Sequence, residues 1–224
     1  MNSITKKVND ELIKLGASMV GFGDITELPD KCRNSLPVGI SVAVKFPPAV
    51  ILGISEHPTK EYKDWRTKLN GSLNIIVKSG AEILAGMGFN AIYLETGDEK
   101  IPHKTIATRA GVGWIGKCAL LVTEEYGSAI RIASILTDAP LTISIPINSS
   151  KCKDSCNSCM SSCPGNAVLG NQWDVGTPQE YFYDRKACYE AAKKQSNCQS
   201  LGNHPLCGKC IEICPITRKY LRNG

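Results

Sequence analysis

With 224 residues, 42% of them hydrophobic and 21% charged, the chain holds one large or two small globular domains, and disorder is excluded. A net charge of +5 without dense Lys/Arg runs is too weak for a nucleic-acid footprint, and no apolar run reaches the roughly 18 residues of a membrane span. The opening MNSITKKVNDELIKLG lacks the apolar core of a secretory signal, which points to the cytoplasm. In that reducing setting eleven cysteines read as metal-binding or redox residues, not as a disulfide framework.

Ile4, Val8, Leu12 and Leu15 recur at helical spacing, so an amphipathic helix opens the chain. A short strand follows over 19–25, and a β-branched strand over 38–46 is stopped by Pro47-Pro48. Residues 47–60, with His57, read as a loop. Leu69, Leu73, Ile76, Val77 and Leu84 mark one face of a helix over 61–87, weakened by Gly71 and Gly80. A third strand is expected over 89–95. Strands alternating with helices indicate an α/β (α+β) layer with some parallel pairing. Beyond it, CALLV and SAIRIASIL flank a turn at 125–127 and suggest a hairpin. Pro140 and Pro146 frame a linker, so the reading divides the chain into an α/β domain, 1–147, and a cysteine-rich domain, 148–224. The second segment carries 10 Lys and Arg against 6 Asp and Glu. That mildly basic balance suits an acidic electron-transfer partner, although ordinary solvated surface explains it as well.

The cysteine-rich segment contains an internal repeat. Cys156-x2-Cys159-x3-Cys163-Pro164 returns as Cys207-x2-Cys210-x3-Cys214-Pro215. In bacterial ferredoxins the cysteine before proline ligates the other cluster of a pair. By that rule Cys152, Cys156 and Cys159 take one [4Fe–4S] cluster with Cys214 as fourth ligand. Cys163, Cys207 and Cys210 belong to the second, whose remaining ligand is Cys188 or Cys198. The competing reading is a pair of structural zinc sites, which also use CxxC pairs but need neither the Cys-Pro endings nor the crossed ligand count. Cys32 and Cys118 are left over as small buried hydrophobes, with Cys118 expected in a strand.

Arg109-Ala110-Gly111-Val112-Gly113-Trp114-Ile115-Gly116-Lys117 is a glycine-rich turn. It is not a dinucleotide loop: no strand leads into it, no acidic residue closes a βαβ unit, and Trp114 would crowd a pyrophosphate. Its glycines permit close approach of backbone to a flat ligand. RAGVGWIGK, GSAIRIASILTDAPL and a cysteine run ending in CPGNAV together resemble the epoxyqueuosine reductases, which are related to the reductive dehalogenases. The resemblance spans roughly 10–220. It implies a ferredoxin-like domain with two [4Fe–4S] clusters and a cobalamin held by Arg109, Gly111, Gly113, Trp114, Gly116 and Lys117. It also implies electron transfer from a low-potential ferredoxin or flavodoxin through the clusters to cobalt.

The family's Arg-Arg-Cys-type segment matches Arg185-Lys186-Ala187-Cys188, which prefers Cys188 over Cys198 as the second cluster's ligand. The match is incomplete elsewhere. The family's Tyr-His pair falls on Tyr62-Lys63, and its catalytic Asp falls on Gly97, with Asp98 the nearest carboxylate. Its Glu-Arg before the turn falls on His103-Lys104. Asp98 as proton donor and Tyr62 as positioning residue are the catalytic candidates. The sequence ends ten residues after Cys214, so a short form without the family's helical repeats, and with little affinity for tRNA, is expected. The leading expectation is a cobalamin-dependent reductase acting on a small or partner-delivered substrate. The alternatives are a ferredoxin-like electron carrier without chemistry of its own, and a metallochaperone or a reactivator of a corrinoid protein.

Overall fold

The computed structural model describes residues 1–98 and 101–223. It is mixed α and β, and it divides into two compact units that are both discontinuous in sequence. The first comprises 1–45, 68–113 and 131–148; the second comprises 46–67, 114–130 and 149–224. The single boundary expected at 147/148 lies one residue from the last crossing between them, at 148/149, and has no counterpart to the earlier crossings.

In the first unit α1 (Ser3–Lys14) is started by Asn2, whose side chain accepts from the Thr5 amide at 2.8 Å. The helix buries Val8 and Leu12, whereas Leu15, expected on the same face, lies past its end and is exposed. A four-stranded sheet runs in the order β1 (Met19–Asp24), β2 (Val38–Lys45), β6 (Ile130–Thr137), β3 (Ala91–Leu94). β1 pairs with β2 in register Met19↔Ala43, and β3 with β6 in register Ala91↔Thr137. Both ladders are antiparallel, so neither supplies the expected parallel pairing. Seven successive residues of β2 are buried, as its near-continuous apolar run requires of a strand covered on both faces.

The long helix α4 (Lys60–Gly86) buries Leu69, Leu73, Ile76, Val77 and Leu84 as its spacing dictates. Gly80 is there for contact: a Cβ at this point would stand 2.6 Å from Ile135 Cδ1 and 2.7 Å from Leu12 Cδ2. The short α2 (Asp30–Arg33) brings Cys32 against a cluster of Ile25, Leu36, Leu94, Ile101, Ile106 and Leu136. It packs there as a small hydrophobe, as expected, but only half-buried. α5 (His103–Arg109) lies on β1 and β2 and leads directly into the glycine turn. The order is helix, turn, strand, the reverse of a dinucleotide loop.

The second unit opens with α3 (Pro48–Leu52) where a loop was expected. Pro48 ends the preceding strand but suits the first helical position, where its missing amide hydrogen costs nothing. β4 (Trp114–Ile115) pairs antiparallel with β5 (Leu121–Val122). The expected hairpin of CALLV with SAIRIASIL is thus not formed: the two runs enter different sheets, and a Thr123↔Gly127 bridge closes the turn between them. Cys118 lies buried in the turn between β4 and β5, not in a strand. The cysteine-rich segment supplies α6 (Ser158–Ser161), α7 (Arg185–Cys198), α8 (Lys209–Glu212) and α9 (Pro215–Asn223). α8 packs against α6, α3 and α9, and α3 against α9.

Candidate metal centre

The cysteine ladder is assembled inside the second unit from three stretches of chain. α6 carries Cys159 and α8 carries Cys210, and these helices pack on each other. Cys188 sits one turn into α7, whose start is fixed by Asp184 accepting from the Ala187 amide at 2.9 Å. Cys214 precedes α9. Cys152, Cys156, Cys159, Cys163, Cys188, Cys207, Cys210 and Cys214 are all half-buried, whereas Cys198 is exposed.

Two neighbourhoods emerge from the electrostatics. Burial pushes the Cys207 thiol up, and the nearby Cys188 and Cys163 push it further against the opposing Lys209 amide. Burial likewise raises Cys214, with the Thr217 and Ile216 amides and the Thr217 hydroxyl opposing and Cys152 adding to the rise. So Cys214 of the second run lies within electrostatic reach of Cys152 of the first, and Cys207 of the second within that of Cys163 of the first. Amides reach the sulfurs after each Cys-Pro: the Ala167 N–H donates to Cys163 Sγ at 3.3 Å, and the first turn of α9 serves Cys214. Thiols this buried are costly to ionise alone, and a metal centre that takes them as thiolates removes that cost. The donor set fits a pair of iron–sulfur clusters. Among the described residues no three His, Cys, Asp or Glu side chains close round one point as a single ion would need.

Three neighbours of the cysteines escaped the sequence reading. Cys118 hydrogen-bonds with both Cys159 and Cys210; the Cys159 bond favours its ionisation, but the Cys210 bond and complete burial hold its pKa well above the thiol range. Cys159 is itself raised, first by that bond with Cys118 and then by burial. The Tyr183 hydroxyl is held high by burial and by a hydrogen bond with Cys188. Glu212, 1% exposed, is clamped by Arg218 and by Lys209 at 3.1 Å and anchors the second cysteine run. Cysteine spacing flags ligands but says nothing of polar groups drawn from elsewhere in the chain.

The residues expected at a corrin divide among other duties. Arg109 is buried and binds the Glu27 carboxylate and Asn148 Oδ1 at 2.9 Å. A Cβ on Gly111 would stand 2.8 Å from the Ile145 carbonyl, and one on Gly116 would stand 2.9 Å from Val122 Cγ2. These two glycines admit the chain's own backbone and side chains. Gly113 is buried. The Lys117 ammonium donates to the carbonyls of Lys153, Asp154 and Cys156. Trp114 is 2% exposed, and its Nε1 has no hydrogen-bond partner. Of the six, Trp114 alone presents an open polar valence of the kind a ligand satisfies.

Asp98 belongs to the first unit, half-buried after β3, and the nearby His103 is lowered by burial against the opposing Glu95 carbonyl and Asp98 charge. His103 Nε2 meets the Glu95 carbonyl at 2.9 Å and Nδ1 meets Ser134 Oγ at 3.0 Å. A carbonyl only accepts, so Nε2 carries the proton and Nδ1 accepts from the serine. Tyr62 belongs to the second unit, where it is buried against Phe46, ring centroids 5.4 Å apart, and faces Gly208 beside Cys207. Lys63 donates to the Leu201 carbonyl at 2.8 Å. His57 and His204 are exposed.

No family model matches the chain. In sequence it is 33% identical to the epoxyqueuosine reductase of Listeria monocytogenes over 158 residues, covering 70% of this chain and 40% of that protein. Its fold matches a catabolic reductive dehalogenase in complex with 3-bromo-4-hydroxybenzoic acid, with a TM-score of 0.74 at 17% identity over 94% of this chain and 31% of that one. It also matches an epoxyqueuosine reductase bound to an epoxyqueuosine-modified tRNA stem loop, with a TM-score of 0.63 at 16% identity over 96% of this chain and 65% of that one. The glycine turn, the β6 run and the cysteine repeat thus sit in a shared fold, and the chain is a relative of the epoxyqueuosine reductases that spans 40% of the Listeria enzyme's length.

Proposed function

We propose that the second unit holds two [4Fe–4S] clusters and that the chain is the redox core of a reductase, passing electrons through them to cobalamin and a small substrate. The observation that carries the reading is the packing of α6 on α8, which brings the two cysteine runs together, with Cys214 in electrostatic reach of Cys152 and Cys207 in reach of Cys163 and Cys188. The first cluster takes Cys152, Cys156, Cys159 and Cys214; the second takes Cys163, Cys188, Cys207 and Cys210. The amides on Cys163 and Cys214 stabilise negative charge on sulfur and so favour the reduced clusters. A low-potential ferredoxin or flavodoxin is the donor this requires.

Cobalamin, when bound, supplies the reductive cleavage of a carbon–oxygen or carbon–halogen bond. The free Trp114 Nε1 supports its binding. Lys117 does not, because all three of its protons already serve the chain, and Arg109 commits its Nε to Glu27 and its Nη1 to Asn148. The anion left by bond cleavage needs a proton, and Asp98 is the candidate donor. Tyr62, packed beside the second cysteine run, forms part of that cluster's wall instead. The second reading, an electron carrier, keeps the clusters without a corrin site. Anaerobic titration of the cluster-loaded protein with cobalamin separates the two. A spectral change and a raised Tm identify the reductase, after which turnover is assayed on small molecules and on a tRNA stem loop. A titration that moves neither spectrum nor Tm leaves the carrier.

A further inference from the structure

The segment Gly116-Lys117-Cys118 belongs to the second unit and lies against the first cysteine run. A Cβ at Gly116 would stand 3.6 Å from Cys152 Sγ, and Cys118 reaches Cys159 and Cys210. Between them Lys117 is 5% exposed. Its Nζ lies 3.3 Å from the Lys153 carbonyl, 3.0 Å from that of Asp154 and 3.0 Å from that of Cys156. An ammonium has three protons, and here each has a carbonyl of the loop that joins Cys152 to Cys156.

Carbonyl dipoles satisfy the protons but leave the positive charge uncancelled. Among the described residues no carboxylate forms an ion pair with Lys117. Burying an ammonium without a counter-charge is expensive, so native proteins pair such a group. A cubane held by four thiolates is an anion whose charge grows by one on reduction. Lys117 also favours the Cys159 thiolate electrostatically, against the groups that raise it.

We propose that Lys117 is the built-in counter-charge of the first cluster: its three carbonyl contacts fix the Cys152–Cys156 loop, and its buried charge stabilises the reduced cluster and raises its potential. It acts through the loop and through space, as a positioning and potential-setting residue that does not touch a substrate. The inference rests on the two-cluster reading.

The test compares wild type, Lys117→Met and Lys117→Arg after anaerobic reconstitution, by iron content and by an EPR-monitored redox titration. In Lys117→Met the reduction equilibrium of one cluster falls by about tenfold, about 59 mV for a one-electron couple. The other cluster is unmoved, and Lys117→Arg recovers most of the shift. If Lys117→Met holds only one cluster while Lys117→Arg holds both, the charge is needed to keep the anionic cluster, which also supports the proposal. Wild-type potentials in a fully loaded Lys117→Met overturn it. Equal shifts or equal iron loss in the Met and Arg variants overturn it too, because loop geometry alone would then be at work. Wild-type protein without iron removes the two-cluster reading itself, and is distinguishable at the first measurement.

Discussion

His103 is held neutral by its surroundings: burial lowers its pKa, outweighing the Glu95 carbonyl and the Asp98 charge that favour the imidazolium. Its unfolded value is 6.5, so below that pH the unfolded chain takes up a proton that the folded chain resists. The stability this provides is complete above 6.5 and is lost as pH falls towards the depressed folded value. Wild-type Tm should therefore drop more steeply between about pH 7 and pH 5.5 than that of His103→Gln. Parallel curves would show that the histidine titrates alike in both states. A second contrast at this scale concerns α7. Cys188→Ala should lose about four of eight irons and keep the rest, whereas Cys198→Ala should lose none. Cys198 is exposed beside Glu56 and His57 in a cleft of about 260 Å³, while Cys188 bonds with Tyr183 and neighbours Cys207. Equal iron loss in the two variants would reassign the ligand. The cysteines were legible because ligand spacing is local. Lys117 was not: the spacing that marks a glycine turn gives no sign that the lysine within it turns to three carbonyls 36 to 39 residues away.

Among the elements, α9 shows how the cysteine-rich segment is tied to earlier parts of its own unit. Tyr220 donates its hydroxyl to the Phe46 carbonyl at 2.7 Å and stands edge-on to Tyr126, ring centroids 5.2 Å apart. Thr217 accepts from the Ser128 amide at 3.0 Å, and Gly127, at φ +56°, leaves no room for a Cβ against the Thr217 backbone at 2.5 Å. Tyr220→Phe keeps the ring and strips the carbonyl of its donor, which costs about 1–3 kcal/mol. Urea unfolding should show a lower midpoint with an unchanged slope; an unchanged midpoint would mean that water replaces the hydroxyl. Long periodic elements such as α4 and β2 were readable from the sequence because burial imposes their spacing directly. α3 and the β4–β5 pair were not. A double proline reads as a stop even where its second residue begins a helix, and two-residue strands carry too few positions for a period.

At the scale of the molecule, the cysteine-rich sequence is not a unit by itself, because residues 46–67 and 114–130 fold with it. These inserted stretches bring Tyr62, Lys117 and Cys118 to the cysteine runs, so the surroundings of the cysteines depend on chain well before them in sequence. Among the described residues no helix is long and apolar enough to cross a membrane. Reductase activity through cobalamin and the counter-charge role of Lys117 both require the two clusters. The most direct measurement is the metal and sulfide content of anaerobically reconstituted protein. It should contain about eight iron and eight acid-labile sulfide per chain. Stoichiometric zinc, with neither iron nor sulfide, would contradict it.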